Sequence, residues 1–349
     1  MAARQRRRHA LAQRIDSVKV LAGDLGGTKT LFMIAECRGA RVTPVYEQRY
    51  DSAAFENLLP MAQAFLRAAG DHAQGVQSAC IAVAGPVTGT LDGQSASITN
   101  LPWRFDSGSL AAQLGIAQVR LINDFQGVGY GIEALGEEDI VTLQMGTPRA
   151  CAPRVVLGAG TGLGEGVLVW AHDFYEVLPS EGGHTDFAPT DVEQIELLRA
   201  LLAEFDHVSS ERLICGHGLV RIYEFLRARH TAPESEALRA AMTQGDPAAA
   251  ISAAALAGND RLAQAALDLF VRLYGAQAGN LALTVLATGG VYVAGGIAAK
   301  ILDKLRDGAF MKAFLAKGRM AALLADMPVR VVINARVGLL GAALAASRL

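Results

Sequence analysis

Two glycine-rich turns carry the first residues able to do chemistry. Gly23-Asp24-Leu25-Gly26-Gly27-Thr28 sits between the apolar runs 18–23 and 29–35, and Gly158-Ala159-Gly160-Thr161-Gly162-Leu163-Gly164 sits between 154–157 and 165–170. Glycine lets backbone N–H groups approach a ligand closely, and successive amides in a turn form an anion-binding nest. Neither turn is a Walker A loop, because Thr28 rather than glycine precedes Lys29, and neither contains the GxGxxG of a dinucleotide site. What remains is two turns that each hold a threonine, one of them with Asp24. A carboxylate beside a phosphate-cradling turn suits Mg²⁺, which favours one or two carboxylates, waters and phosphate oxygens. An ordinary structural turn accounts equally well for either one alone.

Asn123-Asp124 directly follows the apolar strand 119–122. Ligands of open α/β sheets collect at the carboxyl ends of strands, which gives Asp124 a site-like place; the competing reading is a cap on the next helix. The run Pro179-Ser180-Glu181-Gly182-Gly183-His184-Thr185-Asp186-Phe187 has no hydrophobic period, and it puts Glu, His and Asp on one short turn. Such side chains supply the donors and acceptors that sugar hydroxyls need. Metal ligation by His184 is the weaker alternative, since no second histidine stands at ligand spacing. Glu211, in SSERLICG, is either a further ligand or a solvated residue paired with Arg212.

The elements around these residues alternate between strand and helix, which predicts an α/β fold. The pattern predicts a β-hairpin around each glycine turn, an amphipathic helix near 54–69, strands at 79–84 and 291–297, and a helix over 337–348. Thr190 and Glu193 suggest a capping box, with Val192, Ile195, Leu198, Leu201, Leu202 and Phe205 as the apolar stripe of the helix that follows. One strand–Gly/Thr turn–strand motif thus opens each half of the chain. Two related halves would produce that pattern, and so would two unrelated turns.

The chain's 349 residues exceed the usual limit of a single core, which predicts two domains. The composition, 51% hydrophobic with a net charge of −2, argues against nucleic acid as the main partner. Five of the 32 basic residues fall within the first fourteen positions, and no apolar segment follows to complete a secretory signal. Residues 1–17 are therefore expected to be a disordered basic extension, and a cytoplasmic chain with no membrane span is expected. Cys37, Cys80, Cys151 and Cys215 lack disulfide or zinc spacing and read as small buried hydrophobes.

Taken in order, GDLGGT (23–28), INDF (122–125), GAGTGLG (158–164), EGGHTDFAP (181–189), HVSSERLICGHGL (207–219), GNLAL (279–283) and VYVAGGI (291–297) resemble the bacterial glucokinase family. That family belongs to the hexokinase-like sugar kinases of the actin-like ATPase superfamily. The resemblance implies two α/β domains of the ribonuclease H-like type, 18–134 with 325–349 and 135–324, and an active site in the interdomain cleft. It implies phosphorylation of glucose to glucose 6-phosphate by ATP with Mg²⁺, feeding glycolysis, and a homodimer. Position by position it makes Asp124 the catalytic base and also a sugar contact. Asn100, Asn123, Glu181, His184 and Glu211 become sugar ligands. Gly23, Asp24, Leu25, Gly26, Gly27, Thr28, Gly160, Thr161, Gly162, Gly295 and Gly296 fall on the ATP side, with Asp24 facing Mg²⁺ through water. GDLGGTK also resembles the repressor–ORF–kinase family, whose Cys-rich zinc motif is absent here.

Overall fold

The computed structural model describes residues 17–90, 93–98 and 101–349. The arginine-rich extension, apart from Ser17, and Asn100 lie outside the described residues. Along the chain run β1 (Val18–Leu25), β2 (Lys29–Arg38), β3 (Arg41–Asp51), α1 (Leu58–Ala69), β4 (Ser78–Val83), β5 (Val87–Thr90), β6 (Gly93–Ser97) and β7 (Arg104–Asp106). Then come β8 (Gln118–Asn123), α2 (Asp124–Gly131), β9 (Ile140–Gln144), β10 (Arg154–Ala159), β11 (Leu163–Ala171), β12 (Phe174–Leu178) and α3 (Val192–Leu201). The last labelled elements are α4 (Arg261–Val285), β13 (Gly290–Ala294), α5 (Gly295–Lys300), β14 (Val329–Val332) and α6 (Val337–Ser347).

Two compact units result. One ends at Gly136 and resumes over Arg336–Leu349; the other is Glu137–Ala335. β14 pairs with β13 and β9, so the segment after 325 that the sequence division gave to the first unit contributes a strand to the second.

In the first unit the described strands form a sheet in the order β3-β2-β1-β4-β8, beside a small β5-β6-β7 sheet. β1, β4 and β8 are parallel, with Leu25, Val83 and Asn123 ending in register. β4 (SACIAV) is buried at every position, as expected of a central parallel strand covered on both faces. Residues of alternate parity along β1 face opposite layers. Leu21 and Leu25 join a core with Phe32, Ile81 and the α1 residues Met61 and Phe65. α6 packs on β1, β4 and α2 and is apolar almost all round, which is the pattern of a helix enclosed by protein.

The second unit repeats this plan: its sheet runs β12-β11-β10-β13-β14, with β9 added at the edge. In both units two antiparallel strands extend outward from the first strand of a hairpin, and parallel strands extend the other way. The motif seen twice in the sequence therefore heads a repeated topology. α4 lines the core here, and its Tyr274 hydroxyl accepts from Ala159 N at 3.0 Å while lying 3.3 Å from Ala294 O. One buried tyrosine thus ties together the ends of β10 and β13, from which the two candidate glycine segments depart.

Candidate active site

In the first unit Asp24 lies on β1 next to the shared carboxyl edge, and Asn123-Asp124 lies at the junction of β8 and α2. Burial, with a smaller contribution from the Asp124 charge, pushes the Asp24 carboxyl up to about 6. Desolvation disfavours a carboxylate and a like charge disfavours it further, so the two acids share one patch of electrostatic strain. Asp24 also faces the first turn of α6, where a Cβ on Gly338 would come 3.4 Å from its Oδ2.

Asn123 caps α2. Its Oδ1 accepts from Phe125 N at 2.9 Å, Gln126 Oε1 accepts from Asn123 N at 3.1 Å, and Asn123 Nδ2 donates to Gly85 O at 3.3 Å. Asp124 occupies the first helical position, and its Oδ1 shares the Phe125 amide with the Asn123 cap at 2.9 Å, so part of the capping reading holds for Asp124 as well. The turn after β1 is held by Gly26 N donating to Lys29 O at 3.1 Å and by Ser52, whose Oγ donates to Gly26 O at 2.8 Å. Gly27 and Thr28 stay at least partly exposed, with Leu25 buried behind them and Gly23 buried against Ile81 and Phe32.

The second unit brings the polar run and the SSER segment together. Glu181, the single turn Gly182–His184 and the single turn Ser210–Arg212 are joined by Ser210 N donating to Thr185 O and Phe187 N donating to Val208 O, both at 2.9 Å. His184 ends between two carboxylates: Nε2 is 3.8 Å from Glu181 Oε2 and Nδ1 is 3.7 Å from Glu211 Oε1. Both gaps exceed a hydrogen bond, so donors and acceptors converge on exposed ground without satisfying one another. A hydroxyl can give to a carboxylate and accept from the imidazole at once.

Glu211 is not a solvated partner of Arg212: its Oε2 accepts from Leu163 N at 2.8 Å. That seat exists because residue 162 is glycine, since a Cβ there would fall 2.4 Å from the same oxygen. The Gly182-Gly183 pair has the same kind of cause. Their Cβ atoms would meet Glu165 Oε2 at 2.2 Å and Leu163 O at 2.1 Å, so only glycines let this turn lie flat on β11. Around His184 and Glu211 opens a polar pocket of about 470 Å³, reaching His207 and Arg212. A larger cavity of about 680 Å³ in the same unit, lined by Arg272, Lys304 and Lys317 among others, includes none of these residues.

Gly160, Thr161 and Gly162 follow β10, closed by Gly160 N donating to Gly162 O at 2.8 Å; Gly295 and Gly296 open α5 directly after β13. Gly158 and Ala294 are in register, which puts both segments at one carboxyl edge. Gly295 has φ +87°, and a Cβ there would lie 2.6 Å from Ala159 O.

A family model for Glucokinase matches residues 21–349. The chain belongs to the glucokinase family. It is 46% identical over 344 residues to a Nostoc sp. glucokinase, covering 95% of this chain and 99% of the relative. The crystal structure of a glucokinase from an Antarctic psychrotroph is 30% identical with a TM-score of 0.83, covering 95% of this chain and 99% of that one. A ROK family glucokinase from Streptomyces griseus, solved in complex with glucose and AMPPNP, shares the fold at 20% identity and a TM-score of 0.61, covering 95% of this chain and 100% of that one. This glucokinase-family chain has the two-domain actin-like ATPase fold. Among the described residues no helix is long and apolar enough to cross a membrane.

Two structural features escape the sequence reading. Cys151 is exposed, unlike Cys37, Cys80 and Cys215, because it sits in a turn with φ +58° rather than in a strand or helix core. Glu165, read only as part of a strand, is a carboxylate buried beneath the Gly182–His184 turn. Its signal was a lone acid among the apolar residues of EGVLVW.

Proposed function

We propose that this chain transfers the γ-phosphoryl group of ATP to the primary hydroxyl of glucose, giving glucose 6-phosphate and ADP. The observation that carries this reading is His184 set between Glu181 and Glu211 with both contacts open at 3.8 and 3.7 Å. Three polar groups aimed at one exposed spot suit a polyhydroxylated ligand, and the family's named members act on such a sugar. By the resemblance alone, Asn100, Asn123 and Asp124 are assigned as further sugar contacts.

In the proposed mechanism the sugar hydroxyl oxygen attacks the γ-phosphorus in line. The new O–P bond forms as the bridging P–O bond to ADP breaks, and the hydroxyl proton passes to Asp124. General-base catalysis of this kind contributes roughly 10²–10⁴-fold. The amides of 23–28 and 160–162 and the segment Gly295-Gly296 are assigned to the nucleotide phosphates, where fixed dipoles aimed at developing charge stabilise the transition state. Asp24 and Asp124, brought to one carboxyl edge by β1 and the β8–α2 junction, are the two carboxylates of the first unit's edge that suit Mg²⁺, which favours one or two carboxylates with waters and phosphate oxygens. Asp24 would hold the ion through water, and the ion would neutralise phosphate charge. The resemblance further supports a homodimer working in the cytoplasm at the entry to glycolysis.

The test is a coupled assay of initial rates on glucose, mannose, fructose and N-acetylglucosamine with ATP-Mg²⁺. Glucose is expected to give the highest kcat/KM. A preference of about tenfold or more for another sugar, equal to about 1.4 kcal/mol of discrimination, overturns the substrate assignment.

A further inference from the structure

Beneath the sugar-facing turns lies a buried polar network. Glu165, 3% exposed, stands on β11 opposite Leu157. Its Oε1 accepts from Gln277 Nε2 of α4 at 2.8 Å, and Gln277 Oε1 receives the hydroxyl of Ser210, next to Glu211, at 3.4 Å. Its Oε2 faces the backbone of Gly182, so close that a Cβ there would come within 2.2 Å. One side chain therefore supports the turn carrying Glu181 and His184 and, through Gln277, the turn carrying Glu211.

The choice of residue is costly. A valine or leucine would fill an interior strand position without desolvating a charge, whereas taking an ion out of water carries a desolvation penalty. Burial pushes the Glu165 carboxyl up, against the opposing pull of the Gln277 bond. Buried acids retained at such a cost cluster at functional sites. An apolar residue would also strand the Gln277 amide, whose other hydrogen bonds are weak: Ser210 Oγ and Asn280 Nδ2 both lie 3.4 Å from its Oε1.

We propose that Glu165 is a positioning residue for hexose binding, clamped by Gln277 and fixing the Gly182–His184 turn so that Glu181, His184 and Glu211 converge on one ligand. It touches no substrate itself. This inference rests on the proposed sugar-kinase reading and assigns the support of that same site.

The experiment compares the full-length wild type with Glu165→Ala and Glu165→Gln. Wild-type rates on the sugar panel decide the functional reading first, and the variants are then compared on whichever sugar the wild type uses, with its affinity also measured by calorimetry. Loss of the support should misplace ligands rather than chemistry, so Glu165→Ala should raise sugar KM and Kd by roughly tenfold or more. Its kcat and ATP KM should stay within about threefold, and Glu165→Gln, which retains bulk and an acceptor for Gln277, should stay within about threefold throughout. A sugar KM unchanged in Glu165→Ala, or a loss confined to kcat, overturns the proposal. Should Glu165→Ala fail to fold, Gly182→Ala approaches the same contact from the other side; its Cβ must displace Glu165, and an unaltered sugar KM there overturns the proposal equally.

Discussion

Asp124 and Asp24 share the carboxyl edge of one sheet, in different surroundings. Asp24 is strand-borne, and its carboxyl is raised to about 6, chiefly by burial. Asp124 begins a helix capped by Asn123, and its own Oδ1 also accepts from Phe125 N at 2.9 Å, which fixes the carboxylate at the helix start. Replacing Asp124 by Asn keeps size and hydrogen bonding and removes the proton acceptor. Glu181, His184 and Glu211 remain, so sugar binding should survive and the loss should fall on the chemical step. The expected outcome for Asp124→Asn is a kcat lowered roughly 10²–10⁴-fold, with glucose affinity by calorimetry changed less than about tenfold. The reverse pattern, near-normal kcat with weak glucose binding, would make Asp124 a sugar ligand only. These two acids and the Glu181, His184 and Glu211 set were legible in the sequence because polar residues broke an apolar pattern at strand ends and in a run without period. Glu165 and Gln277 were not, because their meaning depends on which turn is laid over which strand, and that is a tertiary fact.

At the scale of elements, Asp124 is only as well placed as the helix it starts. α2 crosses α6 with glycines on both sides: a Cβ on Gly341 would lie 1.8 Å from Gly127 O, and one on Gly131 would lie 2.0 Å from Val337 O. Backbone meets backbone there, so no side-chain rotation can relieve an added methyl. Overpacking of this kind costs about 1–3 kcal/mol, occasionally more. Gly341→Ala is therefore expected to lower Tm by roughly 2–12 °C, on the basis of about 2–4 °C per kcal/mol for a unit of this size. Gly245→Ala, whose Cβ would meet Ala241 O at an ordinary 3.7 Å, serves as the control and should shift Tm by no more than about 2 °C. An unshifted Tm in Gly341→Ala would show that the helices slide apart at little cost. Among the helices the sequence served α1 well. Of its stripe Phe55, Leu58, Leu59, Ala62, Phe65 and Leu66, the structure buries Leu58, Ala62 and Phe65 in the core and packs the other three partly buried against it. Met61, outside the stripe, is buried too. It misjudged α3. The cap is Asp191, which accepts from Gln194 N at 2.8 Å, not Thr190, and the buried residues are Gln194, Leu197 and Leu201. Val192, Ile195 and Leu202 are exposed. The rest of the stripe holds: Leu201 is buried and Leu198 and Phe205 pack partly buried against the core, so the helix is turned so that its buried face runs through Leu197 and Leu201.

At the scale of the whole chain, the first unit is built from two ends of the sequence. α6 follows some 200 residues after Gly136, yet Val337, Leu339 and Leu344 are buried there, along with Ala342, Ala343, Ala345 and Ala346. Ser78 Oγ donates to Ala346 O at 2.7 Å, and Arg348 pairs with Glu133 at 2.6 Å in partly buried surroundings. Burying one Leu or Val side chain contributes about 1.5–3 kcal/mol, so these three alone approach the 5–15 kcal/mol that separates a typical folded domain from its unfolded chain. The second unit has its own core around α4 and does not draw on α6 for it. Deleting residues 337–349 should therefore unfold the first unit selectively. Limited proteolysis read by mass spectrometry should show cleavage throughout 17–136, while a fragment spanning most of 137–335 resists, and phosphorylation should be lost with Asp24 and Asp124. Equal protection of both units after the deletion would mean that the β3-β2-β1-β4-β8 sheet and α1 suffice, and that α6 covers a unit already stable without it.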